Sequence, residues 1–216
     1  MNHKISIVDY GTGNLLSIAR ALDHFDYSAK FAQNEKDILN AEKLILPGVG
    51  AYGKAMHELS NRGLVNALKT FAGLERPMLG VCLGMQMLLS ESDEFGKNTG
   101  LDIIPGKVIK IPQKKDCQSK IKIPHIGWAR IQKPDRIEQK NAGHLLLNKI
   151  SRADWFYFVH SYVAKPAHSE KIIATCNYGN TSLVAAIAHG NVIGTQFHPE
   201  KSSLAGLKII KNFLDL

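Results

Sequence analysis

The chain is poor in the features that define several large protein classes. It has 3 cysteines in 216 residues, Cys82, Cys117 and Cys176. A sparse, odd set without metal-ligand spacing excludes a disulfide framework and a zinc cluster, and fits a reducing compartment. No apolar run approaches the length that a bilayer demands, so no membrane-spanning helix is expected. The first strand is expected to open at Lys4, which leaves no room for a cleavable leader. Together these absences point to the cytoplasm. Repeats, low-complexity tracts and clear linkers are also missing. The apolar fraction, 44%, is ordinary for a globular protein. The reading is a single domain over residues 1–216.

Basic charge is in excess. There are 27 Lys and Arg against 19 Asp and Glu, a net charge of +8, and the isoelectric point is near 9.3. The excess is spread thinly, apart from Lys107, Lys110, Lys114, Lys115, Lys120 and Lys122. That stretch holds Pro112 and few aromatics, and reads as a solvated loop and strand edge. No nucleic-acid-binding module accompanies the charge. Docking to an acidic protein partner, or attraction of anionic substrates, is the better use of such a field.

Along the chain, Lys4 to Tyr10 reads as a strand, broken by Gly11-Thr12-Gly13-Asn14. Leu15 to Phe25 reads as a helix. The glycines superficially match a dinucleotide loop, but Leu16 stands where the third glycine belongs. Lys43 to Leu46 is a second buried strand, ending at Pro47-Gly48-Val49-Gly50. Helical patterns cover Tyr52 to Leu59 and Leu64 to Phe71, and Met78 to Val81 is a third strand. A helical pattern then runs from Leu83 to Leu89. This alternation predicts an α/β fold: an open sheet, largely parallel, with helices on both faces. The second half differs. Ile104 to Ile111, Lys122 to Ile131, Trp155 to Val163, Lys171 to Asn177 and Leu183 to His189 read as strands, several antiparallel. His189-Gly190-Asn191 is a tight-turn signal, and Leu204 to Leu216 a closing helix.

Two segments carry chemistry. Gly80-Val81-Cys82-Leu83-Gly84 stands where a strand turns into a helix, the arrangement of a nucleophile elbow with thiol in place of hydroxyl. Glycines two before and two after the nucleophile remove Cβ atoms that so tight a turn cannot hold. The helix start behind the sulfur favours thiolate. The competing reading of Cys82 is a small buried thiol in a core strand. The second segment is Gln196-Phe197-His198-Pro199-Glu200-Lys201-Ser202. On an extended chain, side chains two apart point the same way, so Glu200 can orient the imidazole of His198 as it serves a nucleophile from elsewhere. Thiolate attack on an amide carbonyl needs oxyanion donors. The Leu83 amide is one candidate, and the Pro47-Gly48-Val49-Gly50 turn is the other. Gln86 lies one helical turn beyond Cys82 and faces the same way, where its amide can bind polar substrate groups.

These three motifs resemble those of class I glutamine amidotransferases, and the resemblance covers nearly the whole chain. Asp9-Tyr10-Gly11-Thr12-Gly13-Asn14, Pro124-His125-Ile126-Gly127-Trp128 and Tyr157-Phe158-Val159-His160-Ser161-Tyr162 narrow it to glutaminase subunits of imidazole glycerol phosphate synthases. The resemblance implies that Cys82, His198 and Glu200 form the catalytic triad. It makes Val49 and Gly50 the oxyanion strand, with Leu83 as second donor. Gln86 and Glu94 match positions that hold glutamine, and Ser161 and Tyr162 a loop over the substrate. Asn14, Trp128, Tyr157 and Lys201 match positions that face the synthase partner. In one place the chain departs from the family: Ala129 stands where Asn is usual, which removes a polar group near the expected partner face.

The activity implied is hydrolysis of glutamine to glutamate and ammonia, without a metal or organic cofactor. The ammonia passes to a partner that makes imidazole glycerol phosphate and an aminoimidazole carboxamide ribotide, in histidine biosynthesis. The implied partner is a (β/α)₈-barrel cyclase bound as a heterodimer. Asp93-Glu94-Phe95-Gly96 and the lysine-rich stretch also match a paralogous branch that feeds ammonia to synthases amidating cell-surface polysaccharide sugars. Another Cys–His hydrolase, such as a peptidase, is a further alternative. The intact triad argues against a non-catalytic binding protein.

Overall fold

The computed structural model describes residues 5–113, 121–134 and 145–216. Cys117, Lys114, Lys115 and Lys120 lie outside the described residues. The first half consists of β1 (Ile5–Val8), α1 (Leu15–Asp23), β2 (Lys30–Ala32), α2 (Glu35–Leu39), β3 (Lys43–Leu46), α3 (Tyr52–Asn61), α4 (Leu64–Ala72), β4 (Met78–Val81) and α5 (Leu83–Met87). Then follow β5 (Leu89–Ser92), β6 (Asn98–Thr99), β7 (Ile104–Lys110), β8 (His125–Gln132), β9 (Trp155–His160) and β10 (Tyr162–Pro166). The chain closes with β11 (Ile172–Tyr178), β12 (Thr181–His189), β13 (Val192–Thr195) and α6 (Ser203–Leu214).

Among the described residues, one sheet has nine strands in the order β2-β1-β3-β4-β13-β12-β11-β8-β9. From β2 to β13 every pairing is parallel, and from β13 to β9 every pairing is antiparallel. β1, β3, β4 and β13 are buried at every position, because helices or the second sheet cover both faces. Alternate residues feed two cores. Ile5, Ile7 and Ile45 join α1 and α6 on one face. Val8, Leu44 and Leu46 join α3, α4 and α5 on the other.

The order β3-β4-β13 creates the site. Gly80 pairs with Leu46 on one side and with Gly194 on the other. The turn after β3, the elbow after β4 and the segment after β13 therefore leave the sheet together, at its carboxyl edge. Ligands of parallel α/β sheets bind at that edge. Cys82 N–H donates to the Thr195 carbonyl at 2.7 Å, which pins the elbow to β13.

Several elements differ from the sequence reading. β2 and α2 escape it, because a three-residue, mostly exposed strand and a five-residue helix carry no readable period. The helix expected through Leu89 stops at Met87. The Leu88 carbonyl accepts from the N–H groups of Ile103 and Ile104 instead, and Leu89 opens β5. The strand expected over Trp155 to Val163 breaks at Ser161. β9 stays in the main sheet, whereas β10 joins a second sheet of order β10-β7-β5-β6. Among the described residues, no helix is long and apolar enough to cross a membrane.

Candidate active site

Cys82 sits at φ 54° and ψ −110°, a strained conformation for a residue with a side chain. The flanking glycines make it possible. A Cβ on Gly80 would lie 2.8 Å from the Met85 nitrogen, and one on Gly84 would land on the Leu46 carbonyl. The turn thus requires glycine at both places. Cys82 is 7% exposed and lines a cavity of about 310 Å³.

His198 lies at the end of the extended segment after β13, and its side chain is 3% exposed. Its Nδ1 donates to Glu200 Oε1 at 2.8 Å. This pairing does not arise along an extended chain, as the sequence suggests. Pro199–Lys201 forms a 3₁₀ turn that folds the carboxylate back under the ring. Nε2 is buried and without a hydrogen-bond partner among the described residues. Burial disfavours the charged ring, but the Cys82 sulfur and the Glu200 carboxylate outweigh it and raise His198 to about 10. The ring is therefore charged at neutral pH, with a proton on Nε2 to give.

Val49, Gly50, Leu83, Gln86, Glu94, Ser161 and Tyr162 line the same cavity as Cys82 and His198. The structure thus brings together every residue expected to contact substrate, from separate segments of the chain. Gly50 has φ 94° with open space about it, so its glycine character serves backbone conformation. Both N–H groups of Gln86 Nε2 are used, on the Tyr162 carbonyl at 3.0 Å and on Gln196 Oε1 at 2.9 Å. Toward a ligand, Gln86 therefore presents its oxygen. Glu94 points one oxygen at the N–H of Tyr52, at 2.6 Å.

The residues expected to face a partner lie outside this cavity. Trp128 is 49% exposed and meets Tyr157 edge-on at 5.8 Å. Asn14 is half-buried before α1, and Lys201 is exposed at the end of the 3₁₀ turn. Ile126 is also exposed on the outward face of β8. Ala129 is not part of this face. It is 8% exposed and belongs to the core, because alternate residues of β8 point inward. The departure from Asn therefore changes the interior side of the strand.

The sequence reading assigned no role to Gln196, His160 or Pro124. Gln196 is fully buried and its Nε2 lies 3.7 Å from the Cys82 sulfur. His160 and Pro124 line the cavity. Position within the quoted motifs was the available signal for all three.

A model of the "Glutamine amidotransferase class-I" family matches residues 6–216. The chain belongs to that family. It is 43% identical over 212 residues to imidazole glycerol phosphate synthase subunit HisH 1 of Legionella pneumophila (strain Paris), covering 98% of this chain and 99% of the relative. It is 44% identical over 214 residues to subunit HisH of Methanosarcina barkeri, covering 99% and 98%. The subunit HisH of Syntrophotalea carbinolica is 41% identical over 215 residues, covering 98% and 100%. Among solved structures, PurLQS from Thermotoga maritima superposes with a TM-score of 0.71 at 15% identity, covering 100% of this chain and 99% of that one. A putative GMP synthase protein from Thermoplasma acidophilum gives 0.68 at 17% identity, covering 100% and 94%. At such identities the structures speak for the fold.

Proposed function

We propose that this chain is the glutaminase subunit of an imidazole glycerol phosphate synthase, with residues 1–216 as one glutaminase unit working in the cytoplasm. The reading rests above all on one observation. The free, buried Nε2 of His198 and the strained Cys82 line one cavity. The curated relatives named as HisH subunits support the choice of pathway.

Cys82 thiolate attacks the side-chain carbonyl carbon of glutamine, and the negative charge moves to the carbonyl oxygen. The N–H groups of Leu83 and of Val49 or Gly50 stabilise that oxyanion. His198 gives its Nε2 proton to the leaving nitrogen, and the C–N bond breaks to release ammonia. The glutamyl thioester remains. Neutral His198 then takes a proton from water, hydroxide adds to the thioester, and the C–S bond breaks. Glutamate leaves and the thiolate is restored. Glu200 holds the ring throughout and balances its charge whenever both ring nitrogens carry a proton.

Ammonia released into water at neutral pH is protonated and no longer nucleophilic, as an amine is. The acceptor chemistry therefore belongs to a partner that receives it directly. The reading assigns that partner a (β/α)₈-barrel cyclase docked on the face that carries Asn14, Trp128, Tyr157 and Lys201.

The test is ammonia release from free glutamine by the chain alone, with a histidine-pathway cyclase, and with the cyclase plus its acceptor. Stimulation by the cyclase is the expected result. Stimulation only by a polysaccharide-amidating synthase would move the chain to the paralogous branch. Cleavage of glutaminyl peptides in preference to free glutamine would make it another kind of hydrolase.

A further inference from the structure

A chain of hydrogen bonds runs from the cavity wall into the core behind it, and its direction is determined at every link. The Tyr162 carbonyl can only accept. It lies 3.0 Å from Gln86 Nε2 and 2.8 Å from His160 Nδ1, so both nitrogens carry hydrogen toward it. The second hydrogen on Gln86 Nε2 points to Gln196, 2.9 Å away, which must present its oxygen there. That fixes the Gln196 amide. Its nitrogen faces the Cys82 sulfur at 3.7 Å. At the other end, His160 with its proton on Nδ1 has an accepting Nε2, and His125 Nδ1 donates to it at 3.2 Å. Burial pushes both rings down to about 4, the neutral state that this order requires.

Resting on the glutaminase reading, we propose that Gln196 is a catalytic residue whose amide N–H donates to the Cys82 sulfur, held in that direction by Gln86 and the Tyr162 carbonyl. A buried donor aimed at an anion favours the anion. It acts twice in the cycle. Before attack it favours thiolate over thiol. During thioester hydrolysis it meets the charge that returns to sulfur as the C–S bond breaks. At that moment the proton of His198 has come from water, and Gln196 supplies a donor that carries no transferable proton.

Gln196→Glu and Gln196→Met separate this role from packing. Glutamate keeps the shape and an oxygen for Gln86 but turns an anionic oxygen toward sulfur. Methionine keeps the volume and removes both polar atoms. The measurement is the pH dependence of Cys82 alkylation by iodoacetamide in the full chain, read on the Cys82 peptide by mass spectrometry. Glutamine turnover with the synthase partner is measured in parallel. The titratable groups that face the sulfur are His198, backed by Glu200, and Tyr10, whose hydroxyl burial pushes up to about 12. They are unaltered in both variants. The alkylation midpoint should rise by about one pH unit in Gln196→Met and by more in Gln196→Glu. The kcat should fall about 10-fold and about 100-fold, with KM within about twofold. If Gln196→Glu does not fold, Gln196→Met decides. A folded Gln196→Met protein with the wild-type midpoint and kcat overturns the proposal. Failure of the glutaminase reading would look different: the wild-type chain with its partner would release no ammonia from glutamine.

Discussion

Glu94 Oε2 accepts a hydrogen bond from the backbone N–H of Tyr52 at 2.6 Å. Tyr52 opens α3 directly after the Pro47-Gly48-Val49-Gly50 turn, and Ala51 at the N-cap offers no side-chain oxygen. A carboxylate that lines the cavity thus also caps the helix that follows the Pro47-Gly48-Val49-Gly50 turn. Glu94→Ala should lower stability by about 1 kcal/mol, whereas Glu94→Gln, which keeps an acceptor, should lose only a small part of that. Both remove a carboxylate charge from the cavity wall, and on the proposed role of Glu94 in holding glutamine both should raise the KM for glutamine by about 10-fold. Thermal melts and steady-state kinetics of the two variants read the effects separately. An unchanged KM in Glu94→Gln would release the carboxylate from substrate binding.

Cys82→Ala and Cys82→Ser should abolish ammonia release from glutamine while the partner's ammonium-dependent activity persists. Cys176 should behave otherwise. It is fully buried in β11, and burial pushes its thiol up to about 12. Cys176→Ala should therefore leave kcat and KM near wild type. Cys117→Ser is expected to do the same. Glutamine hydrolysis retained by Cys82→Ala would sink the nucleophile assignment.

Glu200→Gln should slow turnover less than His198→Ala. In the proposed mechanism the imidazole moves protons, whereas the carboxylate, 2.8 Å from Nδ1, orients the ring and helps to keep it charged. Glu200→Gln should also move the basic limb of the kcat profile to lower pH, because one of the two charges that raise His198 is gone. A profile for Glu200→Gln that overlays wild type would show that the carboxylate does not set the charge of the ring.

The two buried histidines make stability pH-dependent on the acid side. His125 and His160 are ordinarily near 6.5 and stand at about 4 in the fold. Between those values the unfolded chain binds protons that the folded chain refuses. Their contribution is complete above about 6.5 and is lost as pH falls toward about 4. His198, raised to about 10, acts on the other side: its contribution is complete below about 6.5 and is lost as pH rises toward 10. Urea midpoints should therefore fall from pH 6.5 to 4. His125→Phe preserves a ring against Phe158 and Tyr178 and should make that fall shallower by about one proton. An equal slope in the variant would mean that His125 is not held neutral.

The isolated chain should be a poor glutaminase. A Cβ on Gly50, at φ 94°, would meet nothing within 4 Å and Val49 is 42% exposed, so neighbouring atoms leave room at this end of the turn for a peptide N–H to reorient. An oxyanion donor that turns inward only when partner and acceptor are bound affects the transition state more than the ground state. One such donor is worth about 10²–10³ in rate, and the gain should appear in kcat rather than KM. Kinetics of the chain alone, with partner, and with partner plus acceptor provide the check. Full activity in the isolated chain would leave the triad standing and remove the gate.

The sequence by itself determined the parallel half of the sheet and the place of the elbow that carries Cys82, because both are encoded locally. Uninterrupted apolar runs mark strands covered on both faces, and Gly80 and Gly84 mark a turn that only glycine permits at those positions. His198 and Glu200 were legible as a pair from their spacing, although the 3₁₀ turn that joins them was not. The tertiary structure alone decided the rest. The end of α5 at Met87 depends on a carbonyl captured by Ile103 and Ile104. The inward turn of Ala129 depends on its place in the β8–β9 register, opposite Phe156. The direction of the Gln196 amide depends on Gln86, a residue 110 positions away. Such facts follow from which strands become neighbours and in what register, and a shift of one residue would reverse each strand's faces. Local spacing carries no record of that choice.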